Sequence, residues 1–170
     1  MTSRTLKLTL AYEGTHYVGW QRQANGTSVQ GVVEEALRRI VGAKVGVMGA
    51  GRTDAGVHAV GQVASAIVAH PIEAWQLRRA LNGMLPRDIR VVEVEDATPD
   101  FHARFSPSRK TYAYRIALGP VVNPLERAFV WHHPGPLNPA TMATALARLK
   151  VVRMLVLVRI AMCGHSMQQV

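Results

Sequence analysis

Apolar and polar residues alternate near the start of the chain. The apolar positions, at every second residue, are Leu6, Leu8, Leu10 and Tyr12. This period of two is typical of a half-buried β-strand. Between Val29 and Ile40 the apolar residues instead recur at helical intervals, Thr27 and Gln30 have the spacing of a capping box, and Gly42 ends the run. A strand followed by an amphipathic helix is therefore predicted.

The same patterns extend the prediction to residue 95. In chain order they indicate a strand at 44–48, a glycine-rich turn at 49–59, a strand at 60–69, a helix from Pro71 to about Gly83, and a strand at 89–94. The order strand, helix, strand, strand, helix, strand is that of the ferredoxin-like βαββαβ unit, in which two helices cover one face of an antiparallel sheet. We predict this α+β architecture for residues 1–105.

A second set of elements begins after residue 105. The predicted elements are a strand at 110–118, a proline-rich loop at 119–139, and a helix that is capped by Asn138 and Pro139 and continues through Leu149. They predict the beginning of a second, incomplete unit of the same kind over residues 106–150. Residues 151–170 are interpreted as a separate tail.

The composition excludes several classes of protein. Of the 170 residues, 48% are hydrophobic and 18% are charged, which excludes a disordered chain. The single cysteine, Cys163, excludes an internal disulfide framework and a multi-cysteine zinc site. The longest apolar stretch, 151–163, is interrupted by Arg153 and Arg159 and is too short to cross a bilayer. No apolar signal core precedes the first strand, so we expect a cytoplasmic protein without a membrane segment.

The charge balance is strongly basic but unevenly distributed. Twenty Lys and Arg against 11 Asp and Glu give a formal net charge of +9, which suggests a polyanionic partner such as a nucleic acid. Residues 127–170 hold five of the basic residues and no acidic one, so this segment supplies +5 of the total. Charge alone leaves two alternatives open, a solvated surface and an RNA-binding face.

The glycine-rich turn contains the most informative residues. Its segment 49–58 reads Gly-Ala-Gly-Arg-Thr-Asp-Ala-Gly-Val-His, which matches neither a dinucleotide fingerprint nor a P-loop. An aspartate such as Asp54 between two strands is often a turn residue that hydrogen-bonds its own backbone. Arg52, two residues earlier, would instead keep this carboxylate ionised, as a nucleophile or general base requires. From the residues alone both interpretations stay open.

Residues 51–58 resemble the signature of the tRNA pseudouridine synthases of the TruA type. Other segments resemble that family in the same order along the chain: 12–14, 17–23, 28–30, 61–63, 81–82 with 85–86, 100–106, and Tyr112 with Tyr114. The resemblance covers residues 6–149. It implies an isomerase that converts uridine to pseudouridine at positions 38 to 40 in the anticodon stem-loop of tRNA. It also implies a homodimer that uses no metal and no organic cofactor.

The resemblance also implies roles for single residues. Asp54 occupies the position of the family's catalytic aspartate, and Tyr112 that of a tyrosine that lines the uracil pocket. Arg52 is expected to pair with Asp54 and to hold the flipped nucleotide. Arg22 and Gln23 are expected near the RNA, and Arg104 at its backbone.

Several of these residues also have structural interpretations. Tyr112 and Tyr114 have strand spacing and would ordinarily pack in a core. His102 and Arg104 share one face of a segment that we expect to be extended, and His102 is equally suited to an internal hydrogen bond. Two further groups, His132 with His133 and Cys163 with His165, match no closed metal site, so metal binding is not expected.

The resemblance stops after Lys150, where the family would continue with further strands and a late helix that completes the cleft. A shifted or prematurely ended reading frame is favoured by the abrupt change in composition, and a short form with a replacement strand is the other interpretation. The alternative function is therefore a truncated, catalytically impaired RNA-binding remnant of the same family. A third hypothesis is a basic ferredoxin-like binding module whose glycine-rich turn is purely structural.

Overall fold

The computed structural model describes residues 2–148 and 161–162. The chain divides into two compact units, Met1–Pro107 and Ser108–Val170. The elements of the first unit are β1 (Arg4–Tyr12), α1 (Val29–Val41), β2 (Val47–Gly49), β3 (Ala59–Val68), α2 (Ala74–Met84) and β4 (Ile89–Ala97). Their order along the chain is the predicted one.

The four strands of the first unit form one sheet in the order β2-β3-β1-β4. Every neighbouring pair is antiparallel. The predicted α+β class with an antiparallel sheet is confirmed. β1 lies in the middle of the sheet, where Leu8 is paired with Ala64 on one side and Val94 on the other. Its alternating leucines are fully buried, because one face of the strand points into the core.

Helix α1 begins one residue later than the predicted capping box implies. Ser28, not Thr27, is the N-cap: its backbone is extended and its Oγ accepts a hydrogen bond from the Gly31 N–H. Gly42 ends the helix as predicted, in a left-handed conformation with φ 73°, and its N–H donates to the Arg38 carbonyl. The helix buries Val33 and Leu37 in the core.

Helix α2 begins at Ala74 and not at Pro71. Glu73 is the N-cap, and its N–H donates to Gln76 Oε1 at 3.2 Å. This hydrogen bond places the start of the helix three residues after the proline. Leu77 and Leu81 are fully buried and attach the helix to the core.

The second unit contains β5 (Arg115–Leu118), β6 (Trp131–His133), α3 (Pro139–Arg148) and β7 (Ala161–Met162). The sheet order is β6-β5-β7 and both pairs are parallel. Two predictions were wrong here. The strand begins at Arg115 and not at residue 110. β6 lies within the segment that we predicted to be a loop. The sequence does not reveal it because a strand of three residues is too short to show an alternating pattern.

The predicted cap of α3 is confirmed, since Asn138 Oδ1 accepts hydrogen bonds from the N–H groups of Ala140 and Thr141. Of the predicted tail, 151–170, only residues 161–162 are described. The predictions for Cys163 and His165 therefore lie outside the described residues. Within residues 2–148 and 161–162, no helix is both long enough and apolar enough to span a membrane.

Candidate active site

The loop that contains Asp54, residues 50–58, joins β2 to β3. Strand β3 contacts the start of this loop through two hydrogen bonds. The Ala50 N–H donates to the Val63 carbonyl at 2.8 Å, and Gln62 Nε2 donates to the Gly51 carbonyl at 2.6 Å. The first two residues of the loop are therefore fixed to the body of β3.

Thr53, the residue before Asp54, is held at two points. Its carbonyl accepts a hydrogen bond from the Trp20 N–H at 3.0 Å. Its Oγ1 lies 2.8 Å from the hydroxyl of Tyr12 and shares a hydrogen bond with it. Tyr12 and Trp20 are both buried, so the two groups that hold Thr53 belong to the core.

Gly19 permits this close approach of the two loops. Its φ is +106°, a conformation that side-chain-bearing residues rarely adopt. A Cβ atom at this position would lie 2.3 Å from the Thr53 carbonyl oxygen. The loop that follows β1 can therefore lie directly on the chain at Thr53 only because residue 19 is a glycine.

The second half of the loop is also attached to residues 14–17. The Gly56 N–H donates to the Tyr17 carbonyl at 3.3 Å, and the Gly14 N–H donates to His58 Nδ1 at 3.1 Å. Within the loop, the Val57 N–H donates to the Asp54 carbonyl at 3.2 Å. The backbone on both sides of Asp54 is thus fixed by hydrogen bonds.

The side chain of Asp54 is exposed to solvent, unlike the backbone around it. Within residues 2–148 and 161–162, its carboxylate accepts no hydrogen bond and forms no ion pair. Asp54 does begin the turn that Val57 closes, but among these residues its side chain forms no hydrogen bond to its own backbone. The expected ion pair with Arg52 is absent there too. Both side chains are exposed, where an ion pair gains at most about 1 kcal/mol.

Arg22 and Gln23 lie in the loop that also contains Gly19 and Trp20. Arg22 Nη1 forms a salt bridge with Glu34 Oε2 at 3.1 Å, yet 58% of its side chain is exposed. Gln23 Nε2 donates to the Val18 carbonyl at 2.9 Å. Both residues line an open groove of about 500 Å³, together with one side of α1 from Gly31 to Arg39 and the end of α2.

A buried glutamine fixes the backbone at Arg22. Gln30 uses its whole amide group: its Oε1 accepts from Gln21 Nε2 and from the Arg22 N–H, both at 2.8 Å. Its Nε2 donates to the Val47 carbonyl at 2.9 Å and to Glu34 Oε1 at 3.1 Å. Gln30 therefore connects the loop after β1 to α1 and β2.

Arg104 lies in a turn and not in the extended segment that we predicted. The N–H groups of Phe105 and Ser106 both donate to the His102 carbonyl, which closes the turn. His102 Nδ1 accepts a hydrogen bond from the Arg104 N–H at 3.2 Å, in line with its internal interpretation. The Arg104 side chain is exposed, with its guanidinium 5.5 Å from the centre of the Phe105 ring.

Tyr112 belongs to the second unit, in residues 111–114 that precede β5, and it is half-buried. Tyr112 and Tyr114 have the spacing of strand residues, but both lie before the strand and not in it. In the same unit, His132 Nε2 lies 2.8 Å from the Gly119 carbonyl and His133 Nδ1 lies 3.0 Å from the Gly135 carbonyl. The described part of the chain contains no group of three metal-ligating side chains.

Three contacts of the site were not predicted from the sequence. Tyr12, Trp20 and Gln30 were recognised only as parts of a strand, a motif and a helix. Each of them contacts a residue that is distant along the chain, and no spacing in the sequence indicates such a contact.

Comparison with known proteins decides the family. A family model described as tRNA pseudouridine synthase matches residues 9–106, which is more than half of the chain. The chain belongs to this family. The matched range of the tRNA pseudouridine synthase model contains the loop 50–58, the residues that hold Thr53, and Arg22, Gln23 and Arg104.

Curated relatives with the name tRNA pseudouridine synthase A support the same family. The chain is 46% identical over 145 residues to one from Solibacter usitatus and 47% identical over 149 residues to one from Moorella thermoacetica. Each match covers 85% of this chain and 60% of the relative. The chain thus spans about three fifths of the length of these synthases.

A third relative of that name, from Geobacter sulfurreducens, is 44% identical over 161 residues. This match covers 95% of the chain and 66% of the relative. A match of 161 residues within a chain of 170 must extend past Lys150, which is where the resemblance in the sequence motifs ends. The similarity to tRNA pseudouridine synthases therefore includes part of the segment 151–170.

Proposed function

We propose that this chain isomerises uridine to pseudouridine in tRNA, at positions 38 to 40 of the anticodon stem-loop, with Asp54 as the catalytic residue. The observation that carries the proposal is the state of Asp54. Its backbone is fixed on both sides by hydrogen bonds, while its carboxylate is exposed and has no protein partner among the described residues. A carboxylate held in this way is available to a substrate and to no structural role.

The reaction explains why an aspartate suffices. The N1–C1′ bond of uridine breaks, the base turns, and a C5–C1′ bond forms, while C5 loses a proton and N1 gains one. Atoms and electrons balance without an oxidant or a reductant, so we propose that no cofactor and no metal takes part. A nucleotide inside a stem must leave the base stack before its glycosidic bond can be reached.

Further residues are proposed to bind the RNA. Arg52, exposed two residues before Asp54, would contact the flipped nucleotide, and Tyr112 would stack on the uracil. We assign contacts with the RNA backbone to three more exposed side chains: Arg22, Gln23 and Arg104. The salt bridge of Arg22 leaves more than half of its side chain accessible, which supports this role.

The finer architecture and the assembly are proposals as well. The sheet order β2-β3-β1-β4 with two helices supports a ferredoxin-like plan for residues 1–105. We propose that residues 106–150 begin a second subdomain. We also propose a homodimer that acts in the cytoplasm.

The test is release of tritium from tRNA labelled at uracil C5, with the 170-residue chain and two variants. We expect the wild type to release tritium, Asp54→Ala to release none while it still binds tRNA, and Glu93→Ala to behave like the wild type. Glu93 is an exposed carboxylate on β4 and serves as the matched control.

Release of tritium by Asp54→Ala would refute the assignment of the catalytic residue. A wild type that binds tRNA in a salt-dependent way and releases no tritium would instead favour the RNA-binding remnant. Affinity for tRNA that is absent or insensitive to salt would favour a basic module with a structural turn.

A further inference from the structure

We propose that Tyr12 is a positioning residue for Asp54, acting through its hydrogen bond to Thr53. This inference rests on the proposed function, because it concerns how the catalytic carboxylate is held. The Tyr12 hydroxyl lies 2.8 Å from Thr53 Oγ1, and Asp54 is the next residue in the chain.

Strand pairing and burial hold Tyr12, and therefore its hydroxyl, in a fixed position. Tyr12 ends β1, one of the two inner strands of the sheet, where it is paired with Ala59 of β3 and Ile89 of β4. Only 4% of the residue is exposed. A phenol is protonated at neutral pH, and burial raises the pKa of the Tyr12 phenol further, so the hydroxyl keeps its proton for this hydrogen bond.

Thr53 passes this constraint on to Asp54. The Trp20 N–H holds its carbonyl and the Tyr12 hydroxyl holds its side chain, so Thr53 can neither rotate nor shift freely. The carbonyl of Thr53 belongs to the peptide bond that leads to Asp54. With that peptide plane fixed, the direction of the carboxylate depends only on the torsions of Asp54 itself. Catalytic groups need such support, because a displacement of about 1 Å can lower the rate 100-fold.

A purely structural role of Tyr12 can be separated from this one. The ring packs near Trp20, with ring centres 6.1 Å apart, and Tyr12→Phe keeps that packing while it removes only the hydroxyl. Asn82→Ala is the control for a loss of stability alone. Asn82 lies on α2, and its side chain forms hydrogen bonds of 2.8 and 2.9 Å with the backbone of Val91 in β4 and not with the Asp54 loop.

Kinetics of tritium release provide the first test. We expect Tyr12→Phe and Thr53→Val each to lower kcat about 10-fold or more, with KM within about twofold of the wild type. The double variant should be no slower than either single one, since both remove the same hydrogen bond. Thr53→Ser should keep kcat because it keeps the hydroxyl, and Asn82→Ala should keep kcat despite its loss of stability. Unchanged kcat in Tyr12→Phe, or equal losses in Tyr12→Phe and Asn82→Ala, would overturn the proposal.

A second measurement does not depend on activity. In the free chain, we expect the NMR order parameter of the Asp54 amide to fall from about 0.85 to below about 0.6 in Tyr12→Phe and to stay unchanged in Asn82→Ala. If the wild type releases no tritium, the proposed function fails while this measurement still decides the positioning role. An order parameter that stays high in Tyr12→Phe would overturn that role, even in an active enzyme.

Discussion

The side chain of Asn82 forms two hydrogen bonds with the backbone of Val91. Its Nδ2 donates to the Val91 carbonyl at 2.8 Å, and its Oδ1 accepts from the Val91 N–H at 2.9 Å. Val91 lies in β4, which is at the edge of the sheet, so among the described residues no strand neighbours these backbone groups on that side. The amide of Asn82 therefore takes the place of a fifth strand at this position and fastens α2 to the sheet.

Asn82→Ala should destabilise the chain by about 1–3 kcal/mol, because it leaves both backbone groups of the buried Val91 without their partner. Urea unfolding followed by circular dichroism would measure the loss. Arg78→Ala is the control: Arg78 contacts the Val92 carbonyl at 3.4 Å from an exposed position on the same helix. Its loss should stay within about 0.5 kcal/mol. Equal effects of the two substitutions would contradict the importance of the Asn82 contact.

Gly19→Ala should be more destabilising than Gly42→Ala. Both glycines have positive φ, 106° and 73°, so alanine costs about 1–2 kcal/mol of backbone strain at either position. Only at Gly19 would the new Cβ meet a neighbour, the Thr53 carbonyl oxygen at 2.3 Å, while nothing lies within 4 Å at Gly42. The overlap should add about 1–3 kcal/mol. Thermal or urea unfolding of the two variants would check this, and a Gly19 variant no less stable than the Gly42 variant would refute it.

The stability of the chain should fall in alkali through Tyr17. Burial raises the pKa of its phenol above the ordinary value of 10, and the hydrogen bond to Asp88 raises it further. A raised folded-state pKa gives stability that is complete below pH 10 and is lost as the pH rises above that value. The free energy of unfolding of the wild type, relative to Tyr17→Phe, should therefore be constant from pH 7 to 9 and decrease above about pH 10. A difference between the two proteins that stays constant up to pH 11 would exclude the effect.

Arg22→Ala should weaken tRNA binding and lower its salt dependence. If Arg22 contacts one phosphate, its removal should reduce the slope of log K against log salt by about 0.7–0.9. Fluorescence anisotropy with labelled tRNA at several salt concentrations would measure the slope. Arg79→Ala is the control, since Arg79 is exposed on α2 and outside the groove that Arg22 lines. An unchanged slope in Arg22→Ala would show that this side chain does not contact the backbone.

Prediction from the sequence succeeded where a pattern covers many residues. β1 was predicted because its leucines alternate over the whole strand, and α1 because its apolar positions repeat over three turns. Prediction failed at short or unpatterned segments. β6 has three residues, and the turn at 103–105 is stabilised by hydrogen bonds to His102 that alternation of residue types does not reveal.

Within the candidate site, Asp54 was identified from its local motif, but its surroundings were not. The expected ion pair with Arg52 relied on their closeness in the chain, whereas the residues that hold the loop are Tyr12, Tyr17 and Trp20. These three residues are more than 30 positions from Asp54 along the chain. Their contacts with the loop 50–58 depend on how the segment 12–20 packs against that loop.

The family, the choice of Asp54 as the candidate catalytic residue and the order of helices and strands follow from the amino-acid sequence, because motifs and burial periods are properties of consecutive residues. The anchoring of Thr53 by Tyr12 and Trp20, and that of Val91 by Asn82, follow only from the folded chain. Such hydrogen bonds form where strand register and loop packing bring distant backbone and side-chain groups within 3 Å, and no local pattern encodes that distance.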